Sequence, residues 1–365
     1  MDLRTSVNPT AFRQFGGAHK AFYFITDAAS AQRYTIADSH YHSAEVLAVR
    51  PGADIGRLVA ELPDESAVLV AAPRTFVRGA DLADIGGRRV AIMPCGSTPV
   101  RPDQLSYFLG VLERTDPAAQ ADRADEFFST VAAAGTLRLL DDARHTECAF
   151  DAAGGDYVWH QQAGELGPGE QQIAPAGELS VLPMEITEFD PTRRLALTGT
   201  VTLQGEPIVH AGYDGSLAGA QADLYSGLTA LRRDPVVIDL ADGLVTRCRA
   251  GAATPGSARA AATLNDLFDA DPRYRTVWEL GFGINNAMDV VPANCGMNEV
   301  YGADHGVVHF GVGLTPFTAF ALTFLCPATR FVAGDQTVIG APGPVPAEGS
   351  RRRITRTREA SCGCH

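Results

Sequence analysis

Two short segments place a ligand-type side chain beside paired glycines. In TVWELGFGIN, residues 276–285, Glu279 sits inside an otherwise apolar run. Read with the two-residue period of a strand, Glu279, Gly281 and Gly283 share one face. Trp278, Leu280, Phe282 and Ile284 share the other, which is an ordinary core face. An acid next to positions without side chains leaves room for a group to approach it. HGVVHFGVG, residues 305–313, repeats the device: His309 shares a face with Val307, Gly311 and Gly313, while Val308, Phe310 and Val312 point the other way. A lone strand histidine is more often structural, but two segments built alike favour a shared cavity over coincidence. A third candidate, Glu178, follows the Pro-Ala-Gly of APAGELSVLP, where a solvated turn acid is an equally good reading.

These residues need a scaffold, and the pattern around them changes character along the chain. From about residue 40 to 135, short apolar runs alternate with helical ones. AEVLAVRPG, SAVLVAA and RRVAIMPCG read as buried strands, DIGRLVAEL and ADRADEFFSTVAAAG as helices. That order predicts an α/β domain over 1–138 with a parallel sheet. No Gly-rich strand-to-helix phosphate loop is present in it, so nucleotide binding finds no support. Residues 139–340 turn to short alternating strands, clearest in RRLALTGTVTLQGEPIV, VVIDLADGLVTRC and the two glycine-bearing segments, with one helix at GSARAAATLNDLFDADP. A mostly antiparallel β (α+β) second domain is expected there. Residues 341–365 are rich in Pro, Gly and charge and read as a flexible tail ending SCGCH.

Composition narrows the function classes. The chain has 365 residues, a net charge of −13 and a pI of about 5.1, which gives no general footprint for nucleic acid or anionic membrane. The longest apolar stretch, TPFTAFALTFLCPA, falls short of the ~20 residues that span a bilayer, and the first residues lack a signal-peptide core. Seven scattered cysteines, an odd number, suit a reducing cytoplasm better than a disulfide framework. Cys362, Cys364 and His365 form a soft-metal or redox-capable cluster with too few ligands for a closed zinc site, and incidental thiols on a tail are the plainer reading.

The order PAGE, ADGLVTRC, a helix, ELGFGIN and GVVHFGVG resembles the thermophilic metallo-aminopeptidase family, which includes 2,5-dihydroxypyridine dioxygenase-like relatives. LRLLDDARHTECAFDAAGG is similar to the segment where that family enters its second domain. The resemblance spans roughly residues 135–340 and implies an aminopeptidase-like domain, a dimer, and metal ligands at Glu178, Glu279 and His309. Two carboxylates and an imidazole suit Zn, Mn, Co or Fe. The family then carries a His-x-Asp pair on the next strand. Here FTAFALTFLCPATRFVAGD puts Ala321 and Thr323 at those positions, so the metal site is depleted. Asp289, Cys295, Asp304 or His305 could supplement it, His305 lying on His309's face if the strand extends that far.

Two functions follow from that departure. The favoured expectation is a catalytically reduced member that binds a peptide in the inherited groove, with no metal required. Such a degenerate member is similar to the peptide-binding proteins of ribosomal-peptide natural-product pathways, which implies a precursor peptide as the partner. The alternative is a single-metal hydrolase using Glu178, Glu279 and His309, since three protein ligands can hold one open-site ion. A dioxygenase is the least favoured, because by the resemblance its iron depends on the missing pair.

Overall fold

The computed structural model describes residues 4–17, 19–37, 39–75, 85–94, 96–212 and 215–343. A small parallel pair, β1 (Thr5–Val7) and β3 (Tyr34–Ile36), flanks a five-stranded sheet. That sheet holds β2 (Ala21–Asp27), β4 (Ser43–Val49), β5 (Ser66–Ala71), β6 (Arg89–Ile92) and β10 (Gln171–Ile173) in the order β10-β6-β5-β2-β4. Every pairing in it is parallel. β2 and β5 are buried along their whole length, as apolar runs covered on both faces must be. β4 is the exception to the expected buried strands: it lies at the sheet edge with Ser43, Glu45 and Ala48 exposed. The helix Pro102–Arg114 lays Leu105, Phe108, Leu109 and Leu112 against this core.

The rest of the described chain forms two antiparallel sheets. One has the order β15-β14-β12-β8-β7-β19-β20, built from β7 (Leu137–Asp141), β8 (Thr146–Phe150), β12 (Leu197–Leu203), β14 (Val236–Ala241), β15 (Leu244–Ala250), β19 (Arg330–Ala333) and β20 (Gln336–Ile339). The other has the order β13-β18-β17-β16-β11-β9, built from β9 (Val158–Gln162), β11 (Glu178–Leu182), β13 (Pro207–His210), β16 (Val277–Gly283), β17 (Val307–Val312) and β18 (Ala321–Cys326). A parallel sheet and two antiparallel ones make the α/β plus α+β architecture that the patterning predicts. The helix Pro117–Ala133 sends Phe127 into the core beside Phe282 and Phe331, with ring centroids 4.9 and 5.9 Å from its own. Among the described residues, no helix is long and apolar enough to cross a membrane.

The six-stranded sheet is two-faced. Leu280, Phe282, Phe310, Leu322 and Phe324 fill the core on one side. Register fixes what stands on the other: Glu178 opposes Gly283, Ser180 opposes Gly281, Glu279 opposes Gly311, and Gly281 opposes His309. Gly311 then opposes Thr323, and Ala321 opposes His210. β9 sets Gln162 opposite Glu178 and His160 opposite Ser180, so, because side chains alternate, all six strands carry polar groups onto one surface.

Candidate metal centre

Each glycine on that surface makes room for one particular neighbour. A Cβ at 281 would collide with Nε2 of His309, so the imidazole lies across the bare backbone of β16 toward β11. A Cβ at 311 would sit 2.8 Å from the Cβ of Glu279. At 283 it would collide with the carbonyl oxygens of Tyr301 and Glu299, so Gly283 admits the short 3-10 helix Gly296–Val300 over the sheet. The paired glycines are the space in which the site is assembled.

Glu178, Glu279 and His309 converge: one ligand atom from each lies within 4.8 Å of the others. Glu178 is the first residue of β11, with its side chain 12% exposed, and so is not a solvated turn acid. His309 Nε2 stands 3.2 Å from Glu178 Oε1, yet neither ring nitrogen has a hydrogen-bond partner among the described residues. Burial pushes the Glu178 carboxyl well above the usual carboxylate range, and the charge of Glu299 pushes it further. Glu279 is pushed up to about 8 by burial first and then by Glu178, with His309 pulling the other way. Without a cation, burial drives both acids toward their protonated forms and leaves the imidazole without a hydrogen bond. With one, adjacent donors each ~2.0–2.2 Å from an ion stand roughly 3.0–3.5 Å apart, which the 3.2 Å separation matches. The donor set is therefore one that could hold a single divalent ion.

A second polar array adjoins the first. Glu299 Oε1 accepts from Thr323 Oγ1 at 2.6 Å and faces His210 Nε2 at 3.3 Å. His210 Nδ1 is held by Ser97 Oγ at 2.8 Å. Burial raises Glu299, but the charge and hydrogen bond of His210, with His309 and Thr323, outweigh it and hold this carboxyl below its ordinary value. The three acids are thus set apart, with Glu178 and Glu279 driven upward and Glu299 held below its ordinary value.

The cavity above them has two compartments that share Glu279, Glu299, Leu182 and Ile186. One continues to Glu178, Ser180, His160 and Gln162, and the other to His210, Ala321, Thr323, Trp278 and Leu314. Ala321 and Thr323 therefore line the cavity, and a histidine enters opposite Ala321 from the neighbouring strand.

The proposed supplementary ligands lie elsewhere. Asp289, Asp304 and His305 are exposed; β17 begins only at Val307, after Gly306 at φ 84°, so His305 is off the strand face. Cys295 is fully buried in the apolar core of the parallel sheet, its thiol pushed up to about 12 by burial. Cys362, Cys364 and His365 fall outside the described residues. His210 and Glu299 were not legible as site residues. His210 ends the strand-like PIVH with only Ile208 sharing its face, and Glu299 belongs to CGMNEVYG, which has no strand period.

No family model matches the chain, and no curated protein matches it. Among solved structures it is similar to the 2,5-dihydroxypyridine dioxygenase from Pseudomonas putida KT2440, with a TM-score of 0.53 and 15% identity. The match covers 90% of this chain and 92% of that one. At this identity the likeness is one of fold.

Proposed function

We propose that this chain is a divalent-metal-dependent hydrolase of the aminopeptidase-like kind, acting on an amide bond. The observation that carries the reading is the buried His309 imidazole, without a hydrogen-bond partner and 3.2 Å from one of two carboxylates held in the same enclosure. Glu178, Glu279 and His309 would hold the ion, with Zn, Mn, Co and Fe all compatible with two oxygens and one imidazole nitrogen. A bound ion would act there as a Lewis acid, polarising a carbonyl and acidifying a water.

The chain's own residues supply the rest. Glu299 stays ionised beside His210, and both its neighbours engage Oε1, leaving Oε2 as the atom to accept a proton. Ser97 fixes the His210 ring and Thr323 fixes the carboxylate, so the acceptor is oriented before substrate arrives. Leu182, Ile186 and Leu314 give the cavity apolar walls beside these groups.

The test is metal content of the purified chain, followed by hydrolysis of small peptide amides with added Mn²⁺ or Zn²⁺. Stoichiometric ion and turnover, both lost in Glu279→Ala and His309→Ala, are expected; a chain that binds no ion under any loading sinks the reading. A second reading, peptide capture without turnover, is favoured by Ala321 and Thr323, which line the cavity without offering a strong ligand. It requires tight binding of an extended peptide that persists in chelator.

A further inference from the structure

Trp278 does not stand where strand alternation puts it. The β16–β17 register shifts between Val277 and Glu279, a bulge centred on residue 278. Bulges re-aim side chains beside functional sites. Here the indole leaves the core that holds Leu280 and Phe282 and joins Leu182, Met184, Ile186 and Leu314 in a separate cluster. Phe189 packs on it with ring centroids 4.5 Å apart, and Phe317 stacks on Phe189 at 5.7 Å. Trp278, Leu182, Ile186 and Leu314 all line the compartment that contains Glu279, Glu299 and Thr323.

The indole also carries an open polar valence. Trp278 is 2% exposed, and its Nε1–H has no hydrogen-bond partner among the described residues. A buried indole N–H ordinarily finds one, so this leftover donor, in a residue that lines the compartment, is a valence that a ligand's acceptor would satisfy. The wall around it carries no charged side chain, whereas the floor carries two carboxylates. The compartment encloses about 450 Å³ of atom-free space, part of it open to solvent. A compartment of this kind admits a small ligand and not a folded partner.

We propose that this wall is a subsite for an uncharged, leucine-sized side chain whose adjoining amide carbonyl accepts from Trp278 Nε1–H. The subsite deepens the hydrolase reading, on which the identification of an amide rests. It names the substrate class as amides of large apolar residues. The bulge at 278 is the device that adds selectivity to the neighbouring metal centre.

The chain has two tryptophans, and Trp159 lies in the core shared by the antiparallel sheets. Trp159→Phe therefore leaves Trp278 as the sole indole emitter. N-acetylleucinamide titrated into this variant should shift the emission saturably and bind at least tenfold more tightly than N-acetylglycinamide. Burying a leucine-sized side chain corresponds to roughly ten- to a hundredfold in affinity. Calorimetry on the natural sequence and on Trp278→Phe gives the same comparison should Trp159→Phe fold poorly; Trp278→Phe should lose tenfold for the leucine amide while binding Mn²⁺ unchanged. Equal affinity for the two amides, or no loss in Trp278→Phe, overturns the proposal. Selective leucine-amide binding by a chain that takes up no Mn²⁺ supports the subsite while removing the metal reading. Mn²⁺ uptake without selectivity does the reverse.

Discussion

The pH dependence of metal uptake follows directly from the enclosure of Glu279. Its carboxyl is pushed up to about 8, so at pH 7 roughly ten chains hold the proton for each that has lost it. An ion that needs this oxygen must displace the proton, at about 1.4 kcal/mol per pH unit below 8. From Glu279 alone, apparent Mn²⁺ affinity should tighten roughly a hundredfold between pH 6 and pH 8 and level off above that. Glu178, also displaced upward, makes the rise steeper. Isothermal calorimetry at pH 6, 7, 8 and 9, repeated in buffers of different ionisation heat, gives both affinity and proton count. At least one proton should leave per ion bound at pH 6–7, and Glu279→Gln should reduce both the count and the affinity. An affinity flat from pH 6 to 8, with no proton released, would refute the claim that Glu279 holds a proton in the ion's place.

Three further outcomes are expected. In the metal-free chain Glu279 keeps a proton that the unfolded chain gives up above about 4.5, so its contribution to stability is full at low pH and lost as pH rises through about 8. Taken alone this amounts to roughly 5 kcal/mol, seen as a falling urea midpoint between pH 5 and 8 that Glu279→Gln flattens. Gly281→Ala drives a methyl into His309 Nε2 and should cost ~1–3 kcal/mol in urea unfolding and abolish ion binding, whereas Gly219→Ala, with open space around it, should be neutral or stabilising. Glu299 is one of the charges that push Glu279 upward, so Glu299→Gln should move the midpoint of the affinity–pH curve to lower pH; an unmoved midpoint would mean that the two carboxylates do not sense each other.

What the sequence made legible was whatever a two-residue period could carry. Glu279, His309 and their glycines lie inside single strands, where alternation alone assigns a face, and the register then sets Gly281 against His309 and Gly311 against Glu279. Glu178 was half legible, because a residue that opens a strand has its face fixed only by the partner it pairs with, here Gly283. Trp278 broke the pattern for a reason the period cannot contain: one irregular step between Val277 and Glu279 moves an apolar residue from the core to the cavity without changing its neighbours in sequence. His210 and Glu299 illustrate the complementary failure. Their meeting depends on β13 docking against β18 and on a 3-10 helix crossing Gly283, contacts between segments 89 positions apart. The glycine at 283 was the visible half of that contact. It marked that something comes close to the sheet there, and the visitor proves to be the backbone that brings in the third carboxylate. A glycine beside a buried acid is therefore better read as evidence of an approaching group than as empty room, and the search for that group belongs among the irregular segments as much as among the strands.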